Sequence, residues 1–464
     1  MIAGLSIAYW LGLLAVIAGV VVLGTYAARK IHSADDFALA GRSSGAFMVM
    51  GIVVGTAVGA SSTVGTSQLA FKAGVSAWWF CLGCCIGFII MAFLYVKPLY
   101  SSKQTTVTQF LASAYDKRTG MVASVCSVIG IFFSAAASSL VLIPMLANCF
   151  SMSLVSGALL SLLLIILYVF FGGAWATGLV GIFKAGLLYV VLGTCFFASL
   201  ETTGGVTTLL SRFPAHPWFT LFPNGFITDI ASGASTVIGV MCTQTYIQGF
   251  LSAKNEKAAF NGMILSGVFT VISAAPAVWV GLFMKVYHPD ISPIDALPLF
   301  IMSYLPDWFA GVSTGMLIIA SVGSAAGLIL GMSTIFSADI VSRVIPSLYE
   351  KRALFVTRST VLAITSAILV FTYINNDALV LDWTILSMCL RGAGVFVPLL
   401  MAIFRPGLFK SNYATAAIAG GSIAALSWRL LFPQLYSPLY PGMLVSVLFM
   451  LLGYRKRTQV NDKI

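Results

Sequence analysis

The sequence is a succession of apolar runs, most of them long enough to cross a bilayer, which takes about 20 helical residues, separated by short breaks at charged residues, Pro or Asn. Such a chain must place most of its backbone in lipid, where only helices or closed barrels leave no N–H or C=O unpaired. Runs of this length are helices. The predicted spans cover 6–27, 45–71, 76–99, 120–148, 151–171, 174–200, 225–251, 260–285, 309–338, 357–375, 379–404, 413–431 and 438–454. About thirteen crossings leave no stretch for a soluble domain. Composition agrees: 8% of the 464 residues are charged and 59% hydrophobic, against about 25% charged in an ordinary soluble domain. That excludes a cytosolic enzyme, a disordered chain and a disulfide-stapled secreted module. The reading is an all-α polytopic membrane protein.

The net charge of +11 is a matter of location. One set of alternating loops and span ends holds Arg29, Lys30, Arg42, Lys97, Lys103, Lys117, Arg118, Lys254, Lys257, Arg343, Lys351, Arg352, Arg358, Arg405, Lys410, Arg455, Lys456, Arg457 and Lys463; the other holds only Lys72, Arg212, Lys285 and Arg429. The positive-inside rule puts the first set in the cytoplasm, the N-terminus outside and the C-terminus inside, in a plasma membrane that we read as a bacterial inner membrane. No nucleic acid is needed to explain the charge. The first run lacks a basic leader and a small-residue cleavage site, and is read as a retained span. The Cys81, Cys84 and Cys85 cluster sits in an apolar run without His partners, so it reads as packing rather than a metal or redox site.

No phosphate-binding Gly loop, zinc motif or nucleophile elbow is present, which leaves passage of a solute or ion. The second run, with Gly51, Gly55, Gly59 and Gly65 among Ser and Thr, suits either a broken helix with freed carbonyls or close packing through small residues. The ninth, ASVGSAAGLILGMSTIF, poses the same choice. Lys184 and Arg391 lie about ten residues from the nearer span end, where a charge costs about 2.5–3.5 kcal/mol. With few acids at that depth, they favour an anionic solute, a lysine that titrates, or, structurally, helix-end carbonyls as partners.

Across essentially the whole chain the residues resemble the sodium:solute symporter family. The resemblance is carried by SADDFALAGRSSG (33–45), GTSQLAFKAGVSAWWF (65–80), GGAWATGLVGIFKAG (172–186), YIQGFLSAKNEKAAF (246–260), STIFSADI (333–340) and RGAGVFVP (391–398). It implies a leucine-transporter-like core of two inverted five-helix repeats, 45–200 and 225–404, preceded by an extra span and loop (1–44) and followed by two spans and a short tail (413–464). It also implies alternating access about a midplane site. A sodium ion would be held by the carbonyls of Gly55, Val58 and Ala320 and the hydroxyl of Ser324. Two departures from the family pattern stand out. Gly323 replaces a usual Ser or Thr, and Val180, Gly181 and Lys184 stand where the family has Thr-Asp and, three residues on, Gln. An ammonium has replaced a carboxylate beside a cation route. Either sodium still binds, with Lys184 turned aside, or Lys184 takes the ion's place and the transporter is proton-coupled or uncoupled.

The solute site implied by the resemblance lies between the second, third, seventh and eleventh spans, with Ser61, Ser62, Gln68, Trp78, Gln244 and Arg391 as candidate lining. Trp78 and Trp79 also suit an interfacial belt. Arg offers a planar fork for a carboxylate, so the expected solute is a small carboxylate or amino-acid-like compound, with sodium or a proton and the lipid bilayer as the other partners. No cofactor and no obligate protein partner is expected. A facilitator is a second class. A sensor would append a signalling domain, which the tail RKRTQVNDKI does not supply, and a lipid-modifying enzyme lacks a catalytic constellation.

Overall fold

A computed structural model of the chain describes residues 6–375, 380–432 and 437–455, apart from the side chains of residues 170–172. Lys456, Arg457 and Lys463 therefore lie outside the described residues. The helices used below are α1 (Ile7–Ala28), α2 (Ala46–Ala57), α3 (Thr66–Ala73), α4 (Trp79–Leu94), α5 (Val107–Ala114), α6 (Lys117–Cys149), α7 (Leu154–Thr203), α8 (Phe226–Met241), α9 (Gln244–Leu251), α10 (Glu256–Tyr287), α11 (Asp307–Ile335), α12 (Pro346–Ile374), α13 (Val380–Phe404), α14 (Ser411–Leu431) and α15 (Leu439–Leu452). Every predicted span corresponds to one of these helices or to a pair of them. Helices begin where a polar side chain can cap freed N–H groups: Asp116 accepts from the N–H of Thr119 at 2.6 Å and Asn255 from that of Ala258 at 2.8 Å.

Among the described residues nine helices are long and apolar enough to cross a bilayer alone, and α8 with α9, bent by 49° at their junction, make a tenth. The remaining spans use shorter pieces: α2, the Leu154–Val169 part of α7, and α15. The break in α7 falls at Gly173, whose φ of 46° and ψ of −139° are open to glycine and strained for other residues. The bend between α8 and α9 carries no Gly or Pro at Cys242–Thr243, and the sequence reading missed it.

The ninth predicted span resolves to close packing. Its small residues do not break it: α11 is continuous, and its most apolar stretch is entirely buried, against 22% for α1. α11 is thus the innermost helix, and its glycines take up neighbouring groups, the Tyr9 carbonyl at Gly311 and the Thr56 and Thr245 hydroxyls at Gly327 and Gly331. α1 instead faces lipid with Ile7, Leu11 and Val22 exposed.

The closest helix approach that matters for the site joins α2 to α7. A Cβ on Gly55 would lie 3.0 Å from both the Thr177 carbonyl and the Cα of Gly181, and one on Gly181 would lie 3.1 Å from the Cα of Gly55 and press into the Gly51 carbonyl. Two glycine faces therefore meet backbone to backbone, as small-residue interfaces in membranes do. Gly181→Ala should cost about 1–3 kcal/mol by overpacking and lower the apparent unfolding temperature of the purified protein. Gly186→Ala on the same helix, where a Cβ meets open space, should leave that temperature unchanged.

Candidate functional site

The site begins where α2 stops. Val58 takes φ −95°, ψ 89°, so the carbonyls of Gly55 and Thr56, which a further helical turn would pair with the N–H groups of residues 59 and 60, need other donors. The chain resumes in one π-helical turn, Ser61–Gly65, in which the N–H of Gly65 reaches the Ala60 carbonyl at 2.8 Å. Ser62 and Thr63 donate their hydroxyls to the Gly59 carbonyl at 3.2 and 2.6 Å, and Thr66 donates to that of Ser61 at 3.2 Å. Interrupted backbone at membrane depth is repaired by the hydroxyls that follow it in sequence.

Side chains from other helices take the carbonyls left over. Ser324 of α11 donates to the Thr56 carbonyl at 2.7 Å. Lys184 of α7 donates its ammonium to the Gly55 carbonyl and, at 3.4 Å, to that of Ala320. The lysine is 1% exposed, and no described carboxylate lies beside it. The contact between α2 and α7 delivers Lys184 to this point, next to Gly323: a Cβ there would touch both Lys184 Nζ and the buried Tyr168 hydroxyl at 3.4 Å.

The resemblance placed a sodium ion among Gly55, Val58, Ala320 and Ser324. The Gly55 and Ala320 carbonyls do converge and Ser324 stands beside them, while Val58 sits at the break with its N–H on the Val54 carbonyl at 2.8 Å. With Lys184 present, these residues do not fit sodium. Two unit charges 4 Å apart repel by about 4 kcal/mol at an effective dielectric of 20. The Gly55 carbonyl already accepts from the ammonium, and Gly323 offers no oxygen.

Beside the break lies a buried cavity of about 20 Å³, lined by Thr56, Ala57, Ser61, Phe80, Ser134, Ser138, Tyr246, Ser324, Leu328, Thr384, Met388 and Arg391. It has room for a water or so and must widen around an organic solute. The Arg391 side chain is 1% exposed. Its Nε donates to the Ser387 carbonyl at 3.1 Å and its Nη2 is 3.5 Å from the Ser134 hydroxyl, but its Nη1 has no partner. The ionisable groups nearest it are Tyr246, Cys242 and Cys389, with no acid among them. Gly130 makes space for the guanidinium stem, since a Cβ there would lie 2.5 Å from Arg391 Cγ.

Of the residues singled out from the sequence, Ser61, Arg391 and Ser324 reach this cavity. Ser61 shares a 2.9 Å hydrogen bond with Thr384. The others do not line it. Ser62 is spent on Gly59, Gln68 is buried in α3 away from the cavity, and Trp78 donates its indole N–H to the Val271 carbonyl at 3.0 Å, tying α4 to α10. Gln244 accepts from the N–H of Val107 at 3.0 Å and donates to the Thr105 carbonyl at 3.2 Å. Thr56, Phe80, Ser134, Ser138, Tyr246, Thr384 and Met388 were missed. Single Ser and Thr residues on long apolar helices give no local signal, although Ser134 and Ser138 lie one helical turn apart.

The loop that Gln244 grips is held from a second side. Asp339, 0% exposed, accepts from the hydroxyls of Thr106 at 2.9 Å, Thr108, and Ser124 at 3.3 Å, and from the Gln109 amide at 2.8 Å. Lys103 and Lys117 flank this loop, so the latch closes the side of the molecule that carries most of the positive charge.

A cavity beside interrupted backbone at membrane depth is the kind of place in which secondary transporters build their binding sites. The model of the sodium:solute symporter family matches residues 37–420. The chain belongs to the sodium:solute symporter family, whose general activity is sodium-coupled carriage of a solute. It is 23% identical to the high-affinity choline transporter 1 of Caenorhabditis elegans over 74% of this chain and 65% of that protein, and so spans just under two thirds of that relative's length. It is 22% identical to the sodium/sialic acid symporter NanT of Aliivibrio fischeri over 96% of this chain and 92% of the relative. A solved Na+-coupled sialic acid symporter, in a substrate-bound outward-open state, superposes with a TM-score of 0.80 at 17% identity over 97% of each chain. That likeness establishes the leucine-transporter-like fold.

Hydrogen bonds to a charged group contribute about 1.5–3 kcal/mol each. Asp339→Asn should therefore speed backbone hydrogen exchange at residues 105–109, where α5 begins, by on the order of tenfold or more. Unchanged exchange would separate the loop from the carboxylate.

Proposed function

We propose that this chain carries a small solute bearing a carboxylate, amino-acid-like compounds included, by alternating access, with the carboxylate seated on Arg391. The observation that carries this reading is the unpartnered Nη1 of a fully buried guanidinium in a cavity without an acid. A buried charge left unpaired is costly, and a carboxylate answers both the charge and the planar geometry. The hydroxyls of Ser61, Ser134, Ser138 and Thr384 around it donate to one another or to nearby groups of the chain and would have to turn from these acceptors to reach further solute oxygens. The named relatives divide on this point, since sialic acid is an acid whereas choline is a cation; the guanidinium favours the first kind of solute. The charge asymmetry supports an N-terminus outside and the latch at Asp339 facing the cytoplasm.

In a thermal-shift screen of the purified protein, small carboxylates should raise the apparent unfolding temperature, because a ligand of the folded state stabilises it by mass action. Neutral sugars should not. Arg391→Gln should weaken carboxylate binding roughly 10–100-fold, the loss of one or two charge-assisted hydrogen bonds, while remaining folded. Equal binding by wild type and variant would refute the reading. For orientation, a cysteine at Lys254 should resist a membrane-impermeant maleimide in intact cells and react after permeabilisation.

A further inference from the structure

We infer that Lys184 is the resident cation of the carbonyl cradle between α2 and α11, and that no sodium ion binds there while the lysine is in place. Carbonyls freed by a broken membrane helix are cation ligands by their chemistry. Here the two that converge from different helices, Gly55 and Ala320, both receive the ammonium of Lys184. An ammonium has three donors and no acceptor, so it can serve both carbonyls at once. Of the hydroxyls beside the cradle, Ser324 points its hydrogen at the Thr56 carbonyl, while the buried Tyr168 hydroxyl accepts no hydrogen bond from the lysine. Among the described residues no carboxylate neutralises the lysine, and Gly181 has no room for a side chain that could. The cradle's positive charge is supplied by the chain itself.

This changes what the site can do. A diffusible ion that bridges two helices leaves when they part, and its gradient then drives the cycle. A tethered ammonium stays on α7 and only exchanges partners. The bridge between α2 and α11 is therefore independent of the sodium concentration, and a sodium gradient does no work through this cradle. The inference goes beyond the solute reading and does not rest on it.

The test is equilibrium binding of radiolabelled sodium to the purified full-length chain, without solute, at ionic strength held constant with choline chloride. The wild type should bind no sodium saturably. Lys184→Gln, which removes the charge and keeps a polar side chain of similar reach, should bind sodium about tenfold or more tighter than the wild type. Saturable binding by the wild type that Ser324→Ala weakens overturns the proposal. So does equal absence of binding in wild type and Lys184→Gln, since the charge would then not be what excludes the ion. Lys184→Met makes the same comparison should the Gln variant fail to fold, and wild-type binding that Ser324→Ala weakens overturns the proposal without either. A solute screen is not involved, so failure here leaves the role of Arg391 untouched.

Discussion

The architecture of the site follows from one requirement: backbone carbonyls that lose their helical partners inside the membrane must find donors within the protein. The turn at Val58 releases Gly55 and Thr56, and the molecule answers with two side chains from two other helices, Lys184 and Ser324. Both reach α2 across contacts made by glycine: Gly55 meets Gly181 of α7, and a Cβ on Gly59 would run into the Ser324 hydroxyl. A break in one helix thus goes with glycine on its own face and on a neighbour's.

The same interruption ties the cation cradle to the cavity. Thr56 gives its carbonyl to Ser324, and both residues also line the space into which Arg391 faces. Rearrangement of α2 therefore alters the cradle and the cavity together. The buried positive charges keep separate company, Lys184 on backbone carbonyls and Arg391 with an open donor. The first is satisfied by the fold and the second awaits a partner. That difference is why one is assigned a structural cation's role and the other a solute's.

Much of this was legible in the sequence, for identifiable reasons. Span number followed from run length, and the break in the second span from Gly and Ser clustered where lipid demands regular helix. Lys184 and Arg391 announced themselves by depth alone. What the sequence could not supply was direction. The glycines of α11 look like those of α2, yet α11 stays unbroken and uses its small residues to take up neighbouring side chains and backbone, a tertiary fact with no local signature. The bend at Cys242–Thr243 lacks Gly and Pro, and Gln244, read as a solute contact, turned out to grip the 105–109 loop. The cavity hydroxyls are scattered over five helices and the turn at Ser61, with only Ser134 and Ser138 sharing a helix, and become a set only when those helices pack.

The account stands on Lys184 holding the place of an ion. The most direct measurement is an experimental structure determined in saturating sodium, at a resolution that separates an ion from an ammonium. The account predicts continuous side-chain density from Lys184 to the carbonyls of Gly55 and Ala320 and no separate peak between them. A discrete sodium peak coordinated by those carbonyls and Ser324, with Lys184 turned away, would contradict it.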